Sequence, residues 1–351
     1  MGERVVVFDS PATGERYEVE LPLTSKLAPV ELRDDLGLPG YIDADESHVE
    51  RALAVLWAAR RADVLAVEHP SLAKVGRPLD ICLFGGVGYR FICPSANEDP
   101  VFRRQPGDLD LITTRSDGDS VIALFSTLGN ILGNRYWHVV TKSDEMFNNL
   151  RGGRRFRVHG LEDDSETRLS IASLDILVER ISFCHTIRAE DALAAPTQSL
   201  FTIGPARLLL TKLQFIKAVP DSQEFAGHEH RVIGQLDDKL LIGPEDKDIA
   251  DVAALLHDRG VGGADLQVNP DVLIELLSAD WAFAETLSLN SANATGFDHV
   301  LESRGAPPTV IDRVRSELAT LVKVVDAARK RSKRPRFRLS KTWWEDVEDV
   351  T

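Results

Sequence analysis

The sequence predicts an α+β protein in which a mixed β/α region precedes a helical region. Up to about residue 195, short β-rich runs such as Ile81–Phe84 and Leu169–Glu179 alternate with amphipathic stretches. Beyond about residue 197, apolar residues recur at helical spacing. These patterns predict three parts: an N-terminal hairpin and helix (1–70), a β/α domain (71–195) and a helical C-terminal domain with a basic and aromatic tail (196–351).

Composition limits the classes of function. The chain has 351 residues, of which 43% are hydrophobic and 27% charged, as is ordinary for a globular protein. A net charge of −14 excludes a generally basic surface, so nucleic-acid contact would need a local basic patch. Three cysteines, Cys82, Cys93 and Cys184, lack the spacing of a disulfide framework or zinc cluster. No signal peptide or membrane-length apolar run is visible, so we expect a cytoplasmic protein without a membrane partner.

The N-terminal part contains a hairpin and one helix. Val5–Phe8 and Arg16–Leu21 are β-rich runs separated by a turn signal. Lys26–Ala44 has the composition of a loop. The following pattern predicts a helix over His48–Val64, with Ser47 as its N-cap.

Two aspartates follow the first core strand of the β/α domain. The apolar run Ile81–Phe84 stops at Gly85 and Gly86, and a second run later carries Asp108 and Asp110. Alternate side chains of a strand share a face, so these two carboxylates point the same way. Adjacent carboxylates repel each other unless a cation lies between them.

A third aspartate stands in a later strand. The run Leu169–Glu179 is apolar except for Asp175 and its terminal glutamate. A buried carboxylate requires a partner, which here is either a metal or an arginine. An arginine cluster precedes this strand and could face phosphates or only solvent; its members are Arg151, Arg154, Arg155 and Arg157.

Together the three aspartates indicate a metal site. Each feature alone has a structural explanation, since Asp-x-Asp often forms a turn and Asp175 could form a salt bridge. Combined, oxygen-only ligands favour a hard cation such as Mg²⁺. A Gly-Gly corner also lets backbone N–H groups approach a phosphate closely.

The C-terminal part is predicted to be helical. Helices are expected over Gly204–Ala218, Pro244–Leu256, from Asn269 to Leu287, and over Thr309–Lys330. The segment Arg329–Lys341 is basic and is followed by two tryptophans. It could bind nucleic acid or pack as a tail on the acidic body.

These motifs resemble the DNA polymerase β-type nucleotidyltransferase superfamily. The resemblance is nearest to a prokaryotic branch that includes abortive-infection-type toxins and uncharacterised relatives, and it spans roughly residues 75 to 351. Its carriers are Phe84-Gly85-Gly86, Arg104, Gly107–Leu111, Leu174–Ile176, Leu208–Gln214, Asp246–Val252, Ala279–Trp281 and Trp343–Glu345.

The resemblance implies a palm domain that moves a nucleoside monophosphate to an acceptor hydroxyl, with pyrophosphate leaving. The expected cofactor is Mg²⁺, with Mn²⁺ as an alternative, and the expected triphosphate is ATP. The acceptor is left open among RNA or tRNA, a protein and a small molecule. By analogy the metal and catalytic residues are Asp108, Asp110 and Asp175, and the nucleotide-binding residues are Gly85, Gly86, Arg104, Lys212 and Lys247.

Departures from the pattern leave rivals open. Many family members have Gly-Ser where this chain has Gly-Gly, and the Cys93–Pro106 segment lengthens the connection to Asp108. One rival is a catalytically silent nucleotide sensor, or a toxin–antitoxin-type interaction protein with a cognate antitoxin as partner. Another is a phosphodiesterase or nuclease that uses the same carboxylates.

Overall fold

A computed structural model gives the architecture of most of the chain. It describes residues 3–9, 16–22, 27–133, 136, 138–139, 146, 148, 154–163, 169–193, 200–220, 228–334 and 342–345. The predicted hairpin is confirmed: strands β1 (Glu3–Asp9) and β2 (Arg16–Pro22) pair antiparallel, with Phe8 opposite Tyr17. Its turn lies outside the described residues.

The chain forms two compact units, each assembled from separate segments. Unit 1 consists of Met1–Phe91, Gln105–Arg180 and Arg188–Ile203. Unit 2 consists of Ile92–Arg104, Ile181–Ile187 and Gly204–Thr351.

A mixed five-stranded sheet is the centre of unit 1. Its strands are β3 (Ile81–Phe84), β4 (Asp108–Thr113), β5 (His138–Val139), β6 (Arg155–Asp163) and β7 (Leu169–Val178). They lie in the order β3-β4-β7-β6-β5, and only the central pair β4–β7 is parallel. A parallel pair needs a crossover connection, which here contains a helix and the two strands β5 and β6.

Helices pack on this sheet because their apolar faces need burial. Among the described residues the first seven helices in chain order are α1 (Pro29–Asp35), α2 (Ser47–Arg60), α3 (Ala62–Leu65), α4 (Gly85–Ile92), α5 (Ser95–Glu98), α6 (Gly118–Leu132) and α7 (Ala189–Leu193). Helix α2 packs against α6 and β3 and buries Val49, Leu53 and Leu56. The short helix α5 lies entirely within the Ile92–Arg104 segment of unit 2.

Several local predictions for the N-terminal part were wrong. The supposed loop 26–44 contains α1, which begins at Pro29, a residue favoured in a first helical turn. Ser47 is the first residue of α2, and Glu46 stands at the N-cap without a side-chain capping bond. This helix also ends at Arg60 instead of Val64.

Unit 2 is largely helical. Its long helices are α8 (Pro205–Leu213), α9 (Asp246–Asp258), α10 (Pro270–Ala279), α11 (Trp281–Ala292), α12 (Ala294–Ser303) and α13 (Pro308–Arg331). Helix α13 packs against the four helices that directly precede it, α9 to α12. The α+β class, with a mixed sheet and a helical C-terminal region, is therefore confirmed.

Further strands occur outside the five-stranded sheet. A short two-stranded sheet is formed by β8 (Arg180–Ser182) and β9 (Thr186–Arg188), and three more strands lie in the region where only helices were expected. An antiparallel sheet in the order β10-β12-β11 consists of β10 (Lys217–Pro220), β11 (Val232–Leu236) and β12 (Lys239–Ile242). No helix among the described residues is long and apolar enough to cross a membrane.

Candidate active site

Two of the predicted aspartates lie side by side at the centre of the sheet. In the parallel register of β4 and β7, Asp110 is directly opposite Asp175. Neighbouring strands lie about 4.8 Å apart, so the two side chains leave the same face close together. Asp175 is only 2% exposed, whereas Asp108, two residues before Asp110, is exposed to solvent. The site therefore runs from a buried carboxylate to an open one.

Gly85 shapes the neighbouring corner. Strand β3 ends at Phe84, opposite Asp110, and Gly85 then adopts a φ of +61°. A Cβ atom at Gly85 would overlap the Asp110 carboxylate and lie 2.9 Å from its Cγ. Only glycine accommodates both the backbone conformation and this close approach. The first turn of α4, which begins at Gly85 and includes Gly86, is thereby placed against Asp110. Helix N-termini carry N–H groups without intrahelical acceptors and so favour anions.

An arginine pair, Arg155 and Arg157 of β6, binds Asp175. Arg157 lies opposite Asp175 and donates from Nε to Oδ1 at 3.2 Å and from Nη2 to Oδ2 at 3.5 Å. Arg155 donates from Nη2 to Oδ2. This pair supplies the partner that a buried carboxylate requires. Asn148 anchors the backbone of β6 at Arg157 through two hydrogen bonds. The Arg157 N–H donates to Asn148 Oδ1 at 2.8 Å, and Asn148 Nδ2 donates to the Arg157 carbonyl at 3.3 Å.

The arginine pair belongs to the cluster noted in the sequence. Alternation along β6 puts Arg155 and Arg157 on one face, which is the signal that could have linked them to a strand carboxylate. Arg154 instead forms an ion pair of 3.4 Å with Glu179. Arg151 lies outside the described residues.

The carboxylates are only partly arranged for a metal. Within the described ranges, no group of three or more His, Cys, Asp or Glu side chains is disposed to hold an ion. Asp175 is engaged by arginines, and Asp108 and Asp110 are the other two carboxylates on this strand pair. Such ligands suit Mg²⁺, which commonly uses one or two protein carboxylates together with substrate phosphates and water.

Two of the predicted nucleotide-binding cations lie in unit 2 and bind carboxylates of α9. The Lys212 Nζ atom lies 2.6 Å from Asp248 Oδ1 and 3.4 Å from Asp251 Oδ2. Arg104 donates to both oxygens of Asp251, from Nε at 2.8 Å and from Nη2. Burial lowers the Lys212 pKa, but the two carboxylates outweigh this effect, and the pKa is raised overall. Lys212 is therefore a buried, charged member of an ion network.

The third cation and the tail have different surroundings. Lys247 is exposed in the first turn of α9 and lies 2.8 Å from Glu245. The basic segment is described only to Arg334, and residues 335–341 lie outside the described part. Beyond it, Trp344 is 6% exposed in an apolar cluster with Cys184, Ile216 and Leu241. This burial favours the tail-packing interpretation for the tryptophans.

Comparisons with known proteins add no identification. No protein-family model, no curated protein and no solved structure matches the chain.

Proposed function

We propose that the protein is a Mg²⁺-dependent nucleotidyltransferase that moves a nucleoside monophosphate from a triphosphate, with ATP expected, to an acceptor hydroxyl. The observation that supports this most is the placement of Asp110 on β4, between Asp175 on the adjoining strand β7 and Gly85 at the start of α4, directly after β3. Paired carboxylates beside a helix N-terminus combine a cation site with a phosphate site.

Each residue has a distinct proposed role. Asp108 and Asp110 would hold Mg²⁺. When bound, this ion would neutralise the charge of the phosphates and orient the reacting groups. The first turn of α4, from Gly85 and Gly86, would bind the triphosphate oxygens. Asp175 would join Asp108 and Asp110 as a metal ligand, and would orient the acceptor hydroxyl and accept its proton.

The cations of unit 2 fit a structural role better than the direct phosphate contact expected from the sequence. Lys212 and Arg104 both bind Asp251, and each would leave a buried carboxylate behind if it moved to a ligand. Lys247 is the remaining candidate for nucleotide contact, since its side chain is solvent-exposed.

The acceptor in the proposal is an RNA, a protein or a small molecule. The net charge of −14 argues against a large RNA footprint. We place the reaction in the cytoplasm, with a cognate antitoxin as partner if the activity is toxic to the cell.

A second candidate is a catalytically silent nucleotide sensor. It is favoured by one observation, the arginine pair that occupies Asp175. A carboxylate permanently held in this way would not accept a proton from a hydroxyl, although the phosphate site at α4 would still be present.

The decisive experiment incubates the protein and Mg²⁺ with each α-labelled nucleoside triphosphate and with RNA, protein or aminoglycoside acceptors. Labelled acceptor and released pyrophosphate are measured for the wild type, for Asp110→Asn and for Asp119→Asn, an exposed control in the same unit. Transfer that only Asp110→Asn loses supports the proposal. Nucleotide binding without turnover supports the sensor, and nucleic-acid cleavage without pyrophosphate supports a phosphodiesterase. Absence of magnesium-nucleotide binding overturns both candidates.

A further inference from the structure

We propose that Arg155 and Arg157 are exchangeable ligands which make the site admit Mg²⁺ together with a polyphosphate and exclude Mg²⁺ alone. In this inference, which rests on the proposed function, the two guanidinium groups leave Asp175 and bind phosphate oxygens when the metal-polyphosphate complex enters. They are then substrate-binding residues that the motif comparison did not identify.

The first argument concerns the oxygens of Asp175. A carboxylate has about four lone-pair sites. Three guanidinium N–H contacts from the arginine pair reach the two Asp175 oxygens. Mg²⁺ needs its ligands at about 2.0–2.1 Å in nearly octahedral geometry, which the crowded carboxylate does not offer. These contacts fill both sites on Oδ2 and leave one on Oδ1, so a cation can bind Asp175 through Oδ2, or through both oxygens, only after at least one guanidinium has moved.

The second argument concerns charge. Asp108, Asp110 and Asp175 carry three negative charges when ionised, and the arginine pair cancels two of them. Arginine keeps its proton in proteins, so each guanidinium contributes one positive charge. From these five side chains, free Mg²⁺ therefore meets one net negative charge instead of the three that the carboxylates alone would present. A triphosphate adds several negative charges to the site, and these charges raise the affinity of the site for Mg²⁺.

The third argument concerns where the guanidinium groups go. Directly paired residues share a face of the sheet, so Arg157, Asp175 and Asp110 form one row across β6, β7 and β4. A phosphate at the carboxylates would thus lie beside Arg157. Guanidinium groups bind phosphate through two parallel hydrogen bonds, as they bind carboxylate. Because Asn148 anchors the Arg157 backbone, the exchange needs only side-chain rotation.

The test measures binding by calorimetry with Mg²⁺ alone and with a preformed complex of Mg²⁺ and inorganic triphosphate. For the wild type we expect the complex to bind at least tenfold more tightly than Mg²⁺. For the Arg155→Gln/Arg157→Gln double variant we expect Mg²⁺ alone to bind at least tenfold more tightly than to the wild type, and the complex at least tenfold more weakly. Arg154→Gln is the matched control, because Arg154 pairs with Glu179, and it should match the wild type.

Each result has a defined meaning. Equal Mg²⁺ affinity in the wild type and the double variant overturns the exchange, whereas transfer activity could still be intact. Absence of binding by Mg²⁺ and by its complex in all variants overturns the proposed function itself. Should the double variant fail to fold, Arg157→Gln keeps Arg155 on Asp175 and must show both shifts in the same directions, or the exchange is refuted.

Discussion

Arg104 and Asp251 form a two-pronged ion pair in unit 2, in which the guanidinium Nε and Nη2 each donate to a different carboxylate oxygen. The second oxygen of Asp251 also lies 3.4 Å from Lys212. One aspartate of α9 therefore joins a segment from early in the chain, ending at Arg104, to α8. Removing it affects two cations at once.

We expect Asp251→Ala to lower the free energy of unfolding by about 3–5 kcal/mol, because it breaks the two-pronged pair with partly buried Arg104 and leaves buried Lys212 with Asp248 as its remaining carboxylate in this network. Urea titration followed by circular dichroism measures the change. Asp246→Ala on the same helix is the control. Its carboxylate is half-exposed and lies 2.8 Å from the His230 Nε2 atom, and exposed contacts of this kind contribute about 1 kcal/mol or less. Equal losses in the two variants would show that the network around Asp251 is not stabilising.

Gly85→Ala should disturb both backbone and site. The positive φ disfavours alanine by about 1–3 kcal/mol, and the new methyl group overlaps the Asp110 carboxylate. We expect a loss of stability of that size and at least tenfold weaker binding of magnesium nucleotide. Gly76→Ala is the control, since no atom lies within 4 Å of its added Cβ. Wild-type behaviour of Gly85→Ala would contradict the described corner.

Protonation of His185 should destabilise the protein in mild acid. Burial lowers its pKa from the ordinary value of 6.5 to about 4, while its Nε2 atom lies 2.9 Å from the Thr286 hydroxyl. The unfolded chain takes up the proton near pH 6.5 and the folded chain only near pH 4. Stability contributed by the neutral imidazole is therefore complete above about pH 6.5 and falls by about 3 kcal/mol as the pH drops towards 4.

Comparison of unfolding free energies for the wild type and His185→Gln across pH 4 to 7 isolates this contribution. The difference between the two proteins should change with pH in that window. A constant difference would mean that the imidazole does not titrate between the folded and unfolded states.

Truncation of Trp344 should be strongly destabilising although it lies near the end of the sequence. Its burial against Cys184, Ile216 and Leu241 predicts a loss of about 3–5 kcal/mol for Trp344→Ala. Trp343→Ala should lose less, because the Trp343 side chain is only partly buried. Chemical denaturation of both variants measures which one loses more stability. A larger loss for Trp343→Ala than for Trp344→Ala would contradict this packing.

The sequence predicts the strands of the site better than their arrangement. Ile81–Phe84 and the strand carrying Asp175 follow from local β-rich patterns, and alternation correctly separates Asp108 and Asp110 from the core. The register that puts Asp110 opposite Asp175 joins residues far apart in sequence, and no local pattern encodes it. The need of Asp175 for a partner was predictable, but the choice between metal and arginine was not.

Unit 2 shows the same limit. Four stretches of helical periodicity were predicted, but the helix expected from Asn269 to Leu287 is divided into α10 and α11 at Asp280, and α12 was not predicted. Strands β11 and β12 were also not predicted. They are joined at Asp237, which has a φ of +54° although it is not a glycine. From the sequence alone, Lys212 could bind a ligand or lie on the solvent-exposed side of an amphipathic helix. Its burial beside Asp248 and Asp251 arises from the packing of α8 against α9, which is a tertiary effect.

The discontinuous composition of unit 2 has a consequence for synthesis on the ribosome. Ile92–Arg104 is synthesised before Ile181–Ile187, and the tryptophan that packs on Cys184 is synthesised later still. Nearly 150 residues separate Arg104 from its partner Asp251. The nascent chain therefore carries the earlier pieces without their native partners until the later ones are made, a period in which exposed apolar surface favours misassembly. Chaperone demand should accordingly be highest before α9 is completed.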